Sequence, residues 1–288
     1  MKTNRYLIET SVACLLWSGS IIACKISYGS IGPFTLGLMR FSLAAVIMLA
    51  MLAVTRDHDR PRGRDMAICA ATGIVGTTLY FAGENYGALL LPASTSSLII
   101  GAFPAITLAL ESAWDRTRPD GLKAAGIALA FVGVAVLAYG ESSSGGSDVV
   151  LGGLALLGGG LCWAVYNLMM RPLLGKYSTT SITAWQTLFG ALGFVPLVLL
   201  TEGLPTATPA PEALLSLAYL VLGCTVAGFI LYNHSLKGLP ASTAASFANL
   251  IPVFGLILSA LILGEAITVP QHLGGSLVVA GIFLSARS

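Results

Sequence analysis

Apolar runs recur along the chain about every 28 residues, and short stretches holding proline, glycine and charge separate them. A helix needs about 20 residues to cross the hydrocarbon core of a bilayer. The pattern therefore predicts ten membrane spans, at about 7–28, 33–54, 66–87, 94–113, 121–140, 150–170, 179–200, 212–234, 242–263 and 270–286. Connectors are mostly short, so little chain is left for a soluble domain.

Composition agrees with that pattern. The chain of 288 residues is 56% hydrophobic and 10% charged, with a mean hydropathy of +0.85, whereas soluble domains carry about 25% charged residues. A net charge of +2 gives no sign of a nucleic-acid partner. The five cysteines fall inside spans without metal-ligand spacing and read as packing residues, so no disulfide, metal or other cofactor is expected. Lys2 and Arg5 resemble a signal-peptide n-region, but the length of the first span and the lack of an A-x-A site favour a retained helix.

Positive charge is one-sided. Lys2, Arg5, Arg56, Arg60, Arg62, Arg64, Arg116, Arg118, Lys123, Arg171, Lys176, Lys237 and Arg287 fall at one set of span ends, with only Lys25 near the other set and Arg40 inside span two. The positive-inside rule then predicts a multi-pass protein with both termini cytoplasmic.

The string Pro92-Ala93-Ser94-Thr95 returns as Pro240-Ala241-Ser242-Thr243, an offset of 148. At the same offset Thr77 matches Thr225, Phe81 matches Phe229, Asn85 matches Asn233 and Pro104 matches Pro252. Trp17 matches Trp163 at an offset of 146. The chain reads as two copies of a five-helix unit, residues 1–145 and 146–288. Because five is odd, the second copy is expected to be inverted in the membrane, an arrangement typical of transporters. Each Ser-Thr pair is expected to cap the helix that follows it, its hydroxyl accepting an orphan backbone N–H.

The span-one "LLWSGSIIACK", the span-two "LMRFSLAA", the repeated P-A-S-T, the mid-helix prolines and "PVFGLILSALILGE" together resemble the EamA family of the drug/metabolite transporter superfamily. Within it the chain is similar to bacterial inner-membrane exporters of aromatic and other neutral amino acids. The resemblance implies an all-α protein with ten helices, two inverted repeats and a central cavity. The first half lacks the Gly-Glu that ends span nine, so a gate role for Glu265 does not carry over to it.

Several residues are candidates for the pathway. Pro104 and Pro252 remove a backbone hydrogen bond within spans four and nine and read as hinges or as packing kinks. Trp17 and Trp163 lie near the midplane, away from the interfacial belts, and form cavity walls or packing. Tyr80, Tyr166 and Trp185 add aromatic surface with polar handles. Asn85, Asn233, Asn167 and Asn249 either join helices or face substrate. Arg40, costly at its depth, either captures a substrate carboxylate or pairs with Glu84, for which Lys25 competes. Glu9 and Glu111 lie near cytoplasmic span ends and are expected to reach water.

The expected function is a secondary transporter exporting aromatic and other neutral amino acids across a bacterial inner membrane by alternating access. An exchanger of sugar phosphates or nucleotide sugars would call for several converging basic residues. A cation exporter would call for a central carboxylate. An intramembrane protease needs a buried Ser-His pair, and His58, His234 and His272 all lie near span ends or in loops. An enzyme is therefore not expected. The expected partners are an amino acid and the lipid bilayer.

Overall fold

The computed structural model describes residues 2–55, 59–116, 121–145, 147–173, 175–203, 208–235, 247 and 250–286, with the backbone alone at 2–4, 123, 138–145, 147, 233, 250, 282 and 285–286. No strand occurs among the described residues. The helices are α1 (Lys2–Ser18), α2 (Ser20–Ser27), α3 (Pro33–Thr55), α4 (Arg64–Gly73), α5 (Tyr80–Leu90), α6 (Ala93–Ile100), α7 (Phe103–Trp114), α8 (Gly121–Gly145), α9 (Ser147–Met170), α10 (Thr179–Thr201), α11 (Pro211–Ala218), α12 (Gly228–Ser235), α13 (Leu250–Leu263) and α14 (Val269–Ala286). Among the described residues, seven helical runs are long and apolar enough to cross a membrane: Arg5–Ser27, Pro33–Thr55, Arg64–Leu90, Ala93–Trp114, Asp148–Met170, Thr179–Thr201 and Pro211–Tyr232. Ala124–Leu137 and Ile251–Leu263 are shorter apolar helices.

Two spans contain a wide turn. The π turn π1 (Ile74–Leu79) joins α4 to α5, and π2 (Tyr219–Ala227) joins α11 to α12. Thr77 and Thr225, matched at the repeat offset, lie in these two turns. Such i→i+5 turns are rare and cluster at functional sites.

Helices pair across the two halves of the chain: α1 with α12, α2 with α11, α3 with α10, α5 with α9, α6 with α13 and α8 with α14. Lipid offers no hydrophobic drive for such pairing, so close contact has to come from small residues. A Cβ on Gly133 would stand 2.7 Å from the Gly274 carbonyl oxygen, and one on Gly83 would stand 2.6 Å from that of Ala155. Backbones therefore touch at these crossings.

Span four breaks at Gly101-Ala102, between α6 and α7, and Pro104 occupies the first turn of α7. There its missing N–H has no intrahelical partner to lose. Across the break, Pro252 of α13 reaches within 3.0 Å of where a Gly101 Cβ would lie.

The helix caps differ from the sequence expectation. α6 begins at Ala93, directly after Pro92, and has no side-chain cap of its own. Ser94 and Thr95 thus fall inside the first turn, where their own N–H groups need acceptors. Glu265, beyond the end of α13, supplies them: it accepts from Ala93 N at 2.8 Å, Ser94 N at 2.9 Å and Ser94 Oγ at 2.6 Å. Gln271 Nε2 donates to Ser94 Oγ and Thr95 Oγ1. Glu202, at the end of α10, holds the start of α3 in the same way, accepting from Phe34 N, Thr35 N and Thr35 Oγ1 at 2.8, 2.8 and 2.6 Å. A carboxylate at a helix N-terminus also meets the favourable end of the helix dipole. The second string, Pro240 to Thr243, lies outside the described residues.

Opposite charges tie the other end together. Arg171 bonds Glu111 and Asp115, Lys176 and Tyr177 bond Asp65, and Asp59 accepts from Ser178 N. The Asp65 carboxylate lifts the Tyr177 phenol above its ordinary pKa. Glu9, expected to reach water, is instead buried, with Arg5 Nε on one oxygen at 2.8 Å and His234 Nδ1 on the other at 2.7 Å. Helix packing at α12 encloses it.

Candidate functional site

A cavity of about 250 Å³ opens at this charged end. Tyr177 and Ser178, just before α10, and Thr179 and Thr180 at its start line one side, and Phe229, Ile230 and His234 of α12 line the other, with Met48 of α3. Thr183 and Phe229 also border a smaller pocket that continues inward, walled by Phe41, Phe81, Trp163 and Tyr166, with Gly76, Thr77, Gln186 and Thr187 completing it. The two spaces share Thr183 and Phe229, so the path from the mouth leads to the aromatic wall of the inner pocket.

The aromatic wall is a continuous stack. Trp163 stacks on Tyr166 at 5.2 Å between centroids and tilts against Tyr80 at 5.3 Å. Tyr80 meets Phe81 edge-on at 4.4 Å, and Phe81 packs on Phe41 at 4.6 Å. Offset and edge-on contacts of this kind suit the ring quadrupoles. Gly76 makes room for it, since a Cβ there would fall inside the Tyr166 ring's contact distance. Facing this wall, Thr183, Gln186 and Thr187 form a polar strip on α10. Gln186 is fixed by donating to Thr72 Oγ1 at 2.8 Å, and Tyr166 OH points to its oxygen at 3.5 Å.

The other candidates divide between wall, support and periphery. Trp17 stands behind the path, packing on Phe229 at 5.5 Å and Tyr232 at 5.2 Å, with its indole N–H donated to the Cys224 carbonyl at 2.8 Å. Cys224 lies in π2, so the shifted register of that turn seats Trp17. Trp185 is peripheral: Arg60 lies 4.5 Å above its ring and Phe189 beside it. Asn85 joins helices, donating to the Pro33 carbonyl at 3.0 Å while Tyr28 OH donates to its own carbonyl. Asn167 donates back to the Trp163 carbonyl. The Asn233 side chain and all of Asn249 lie outside the described residues.

Arg40 and Glu84 are both buried, at 2% and 4% exposure, yet neither joins an ion pair among the described residues. The expected Arg40–Glu84 pair is not formed. Instead Arg40 Nε donates to Thr225 Oγ1 at 2.9 Å, Nη1 approaches Ser20 Oγ at 3.4 Å, and the guanidinium lies over Phe41 and Phe81 at 5.1 and 4.7 Å. π2 brings Thr225 to this position, and its hydroxyl donates in turn to Leu220 O. Glu84 accepts from Tyr80 OH at 2.5 Å. Lys25, considered as a rival for Glu84, reaches the Leu89 carbonyl instead.

Phe41, Thr183 and the two π turns were not singled out from sequence. The matched Phe81–Phe229 and Thr77–Thr225 pairs were the available signal, since all four border this path or the turns that shape it.

Known proteins place the chain in context. It is 27% identical to a protein named a probable terminal-alkyne amino-acid exporter from Streptantibioticus cattleyicolor, covering 100% of this chain and 95% of that protein. It is 26% identical to a probable amino-acid metabolite efflux pump from Escherichia coli, covering 94% and 91%. A solved structure titled only as the crystal structure of a protein shares the fold, with a TM-score of 0.71 at 20% identity over 97% of this chain and 95% of that one. The sequence profile described as the EamA-like transporter family matches twice, at residues 6–139 and 150–287. A double match spanning nearly all of a helical, apolar chain leaves one assignment: this protein belongs to the EamA-like transporter family.

Proposed function

We propose that this protein is a secondary transporter that exports amino acids with aromatic and other neutral side chains across a bacterial inner membrane by alternating access. The observation that carries the reading is an aromatic-ended cavity open at the basic end, while at the opposite end Glu202 and Glu265 bond the starts of α3 and α6. An apolar pocket with a few convergent polar groups suits a small ligand with a hydrophobic side chain. The names of the two relatives support an amino-acid cargo.

In this reading ten membrane helices form two inverted five-helix units, residues 1–145 and 146–288. The pairing of helices supports it. Numbering the spans from one to ten, the packed pairs are one with eight, three with six, two with seven, four with nine and five with ten. Exchanging each span with its repeat mate turns the first pair into the second and returns the other three unchanged, as a twofold axis in the membrane plane requires. The basic end, with Arg60, Arg171 and Lys176, then faces the cytoplasm together with both termini. Pro252 lies against the Gly101-Ala102 break, so the spans that carry Pro104 and Pro252 cross there, and in this reading that crossing serves as the hinge. A phosphorylated cargo fits poorly, because Arg40 is the one basic side chain beside the aromatic end among the described residues.

The test is release of labelled phenylalanine from liposomes containing the purified protein. Release several-fold above protein-free liposomes is expected. Movement of a sugar phosphate, with no movement of any amino acid, would overturn the assignment.

A further inference from the structure

We infer that Arg40 and Glu84 form a receptor for the zwitterionic head group of an α-amino acid, Arg40 taking the carboxylate and Glu84 the ammonium, with Phe41 and Phe81 screening it from the cavity in the described state. The inference rests on the exporter reading and deepens it by naming where the two charges common to every α-amino acid bind.

Opposite charges buried in one region normally pair, because each alone is costly to remove from water. Here they do not. Arg40 uses Nε on Thr225 and Nη1 toward Ser20, which leaves Nη2 without a partner among the described residues. Glu84 uses Oε2 on Tyr80 and leaves Oε1 without one. Among the described residues, the sealed side-chain polar atoms that lack partners are Ser96 Oγ and Ser181 Oγ. The free ends of Arg40 and Glu84 therefore border space rather than packed apolar atoms.

Their chemistry matches an amino-acid backbone. A guanidinium donates charge-assisted hydrogen bonds to a carboxylate and repels an ammonium, whereas a carboxylate oxygen accepts from an ammonium. Two opposite charges held apart can each meet one end of a zwitterion. Directly paired, they would neutralise each other and offer nothing.

Placement relative to the cavity completes the argument. Phe81 borders the inner pocket and also lies under the Arg40 guanidinium at 4.7 Å. Tyr80, which holds Glu84, packs on Trp163 of the pocket wall. A head group at Arg40 and Glu84 would leave its side chain pointing back along Trp163, Tyr166 and Phe229. Rotation of the Phe81 ring joins the two spaces.

The test is competition against labelled phenylalanine in liposomes holding the full-length protein. Phenylalanine amide lacks the carboxylate and 3-phenylpropionate lacks the ammonium. For the unaltered protein, each should compete at least tenfold more weakly than phenylalanine itself. Arg40→Gln should raise the KM for phenylalanine at least tenfold while leaving competition by the amide unchanged. Glu84→Gln should do the same while leaving competition by 3-phenylpropionate unchanged. If the unaltered protein moves phenylalanine but both analogues compete as well as phenylalanine, the receptor is wrong and the exporter reading stands; that measurement needs no variant to fold. If the two variants weaken both analogues alike, the receptor is also wrong. If the unaltered protein moves no amino acid, both readings fall.

Discussion

Glutamine at position 265 keeps the shape of the side chain that closes α6 and removes its charge. The carboxylate accepts three hydrogen bonds, from Ala93 N, Ser94 N and Ser94 Oγ, at 2.6 to 2.9 Å. An amide has one oxygen, and its NH2 group would face a donor. Seated in the place of Oε2, that oxygen keeps the two Ser94 bonds without their charge, and the bond from Ala93 N is lost. Hydrogen bonds to a charged group contribute about 1.5–3 kcal/mol each, and Glu265 is only half-buried, so water replaces much of that loss. A net cost near 2 kcal/mol to the closed end remains, roughly a 30-fold shift toward opening. Amide hydrogen exchange reads that shift, because exchange of a bonded amide tracks the population in which the bond is open. Ala93 and Ser94 should exchange roughly 30-fold faster in Glu265→Gln. If the end opens as one gate, Phe34 and Thr35, held by Glu202, should speed up as well. Faster exchange at Ala93 and Ser94 with none at Phe34 and Thr35 would reduce Glu265 to a local cap. A uniform rise across all helices would mean general destabilisation and refute the gate.

Other substitutions test the path directly. Trp163→Ala removes ring contacts to Tyr166 and Tyr80 that contribute about 0.5–1.5 kcal/mol each; phenylalanine transport should fall at least tenfold while the thermal midpoint drops only by the amount those contacts explain, and collapse of folded yield instead would assign Trp163 to packing. Gly76→Ala drives a methyl into the Tyr166 ring and overpacks the wall by about 1–3 kcal/mol. Tyr166 should then intrude on the pocket, so transport of phenylalanine should drop more than that of alanine, and equal loss for both would count against the wall. Thr225→Val strips Arg40 Nε of its acceptor at a buried site, a cost of about 1–3 kcal/mol. The thermal midpoint in detergent should fall, and Thr225→Ser should restore it; failure of serine to do so would show that the methyl rather than the hydroxyl matters.

Much of this protein is written in its sequence because the bilayer and the duplication act locally. Apolar runs of membrane length report helices wherever they occur, since a backbone in hydrocarbon must bond within its own segment. A repeat offset of 148 reports two related halves, because equal sequence at equal spacing folds alike, and it paired Phe81 with Phe229 and Thr77 with Thr225 before any contact was known. The bias of positive charge likewise needs only a count along the chain.

Tertiary structure decided everything that depends on which helix ends meet. The Ser-Thr of the first repeated string reads from sequence as its own cap, yet α6 starts at Ala93, two residues earlier than a Ser94 cap needs, and its acceptor comes from 171 residues away, at Glu265. Trp17 and Trp163 look equivalent in the repeat, but Trp163 faces the pocket and Trp17 backs Phe229, because π2 turns the Cys224 carbonyl toward it. Arg40 and Glu84 look like a pair by sign and depth, and packing gives Arg40 a hydroxyl and two ring faces instead. Sequence fixes periodicity and cost, which are properties of single helices in lipid. The partner that meets a cost is set by how helices cross, and that depends on glycine contacts and π turns whose effects appear only when the whole bundle is assembled.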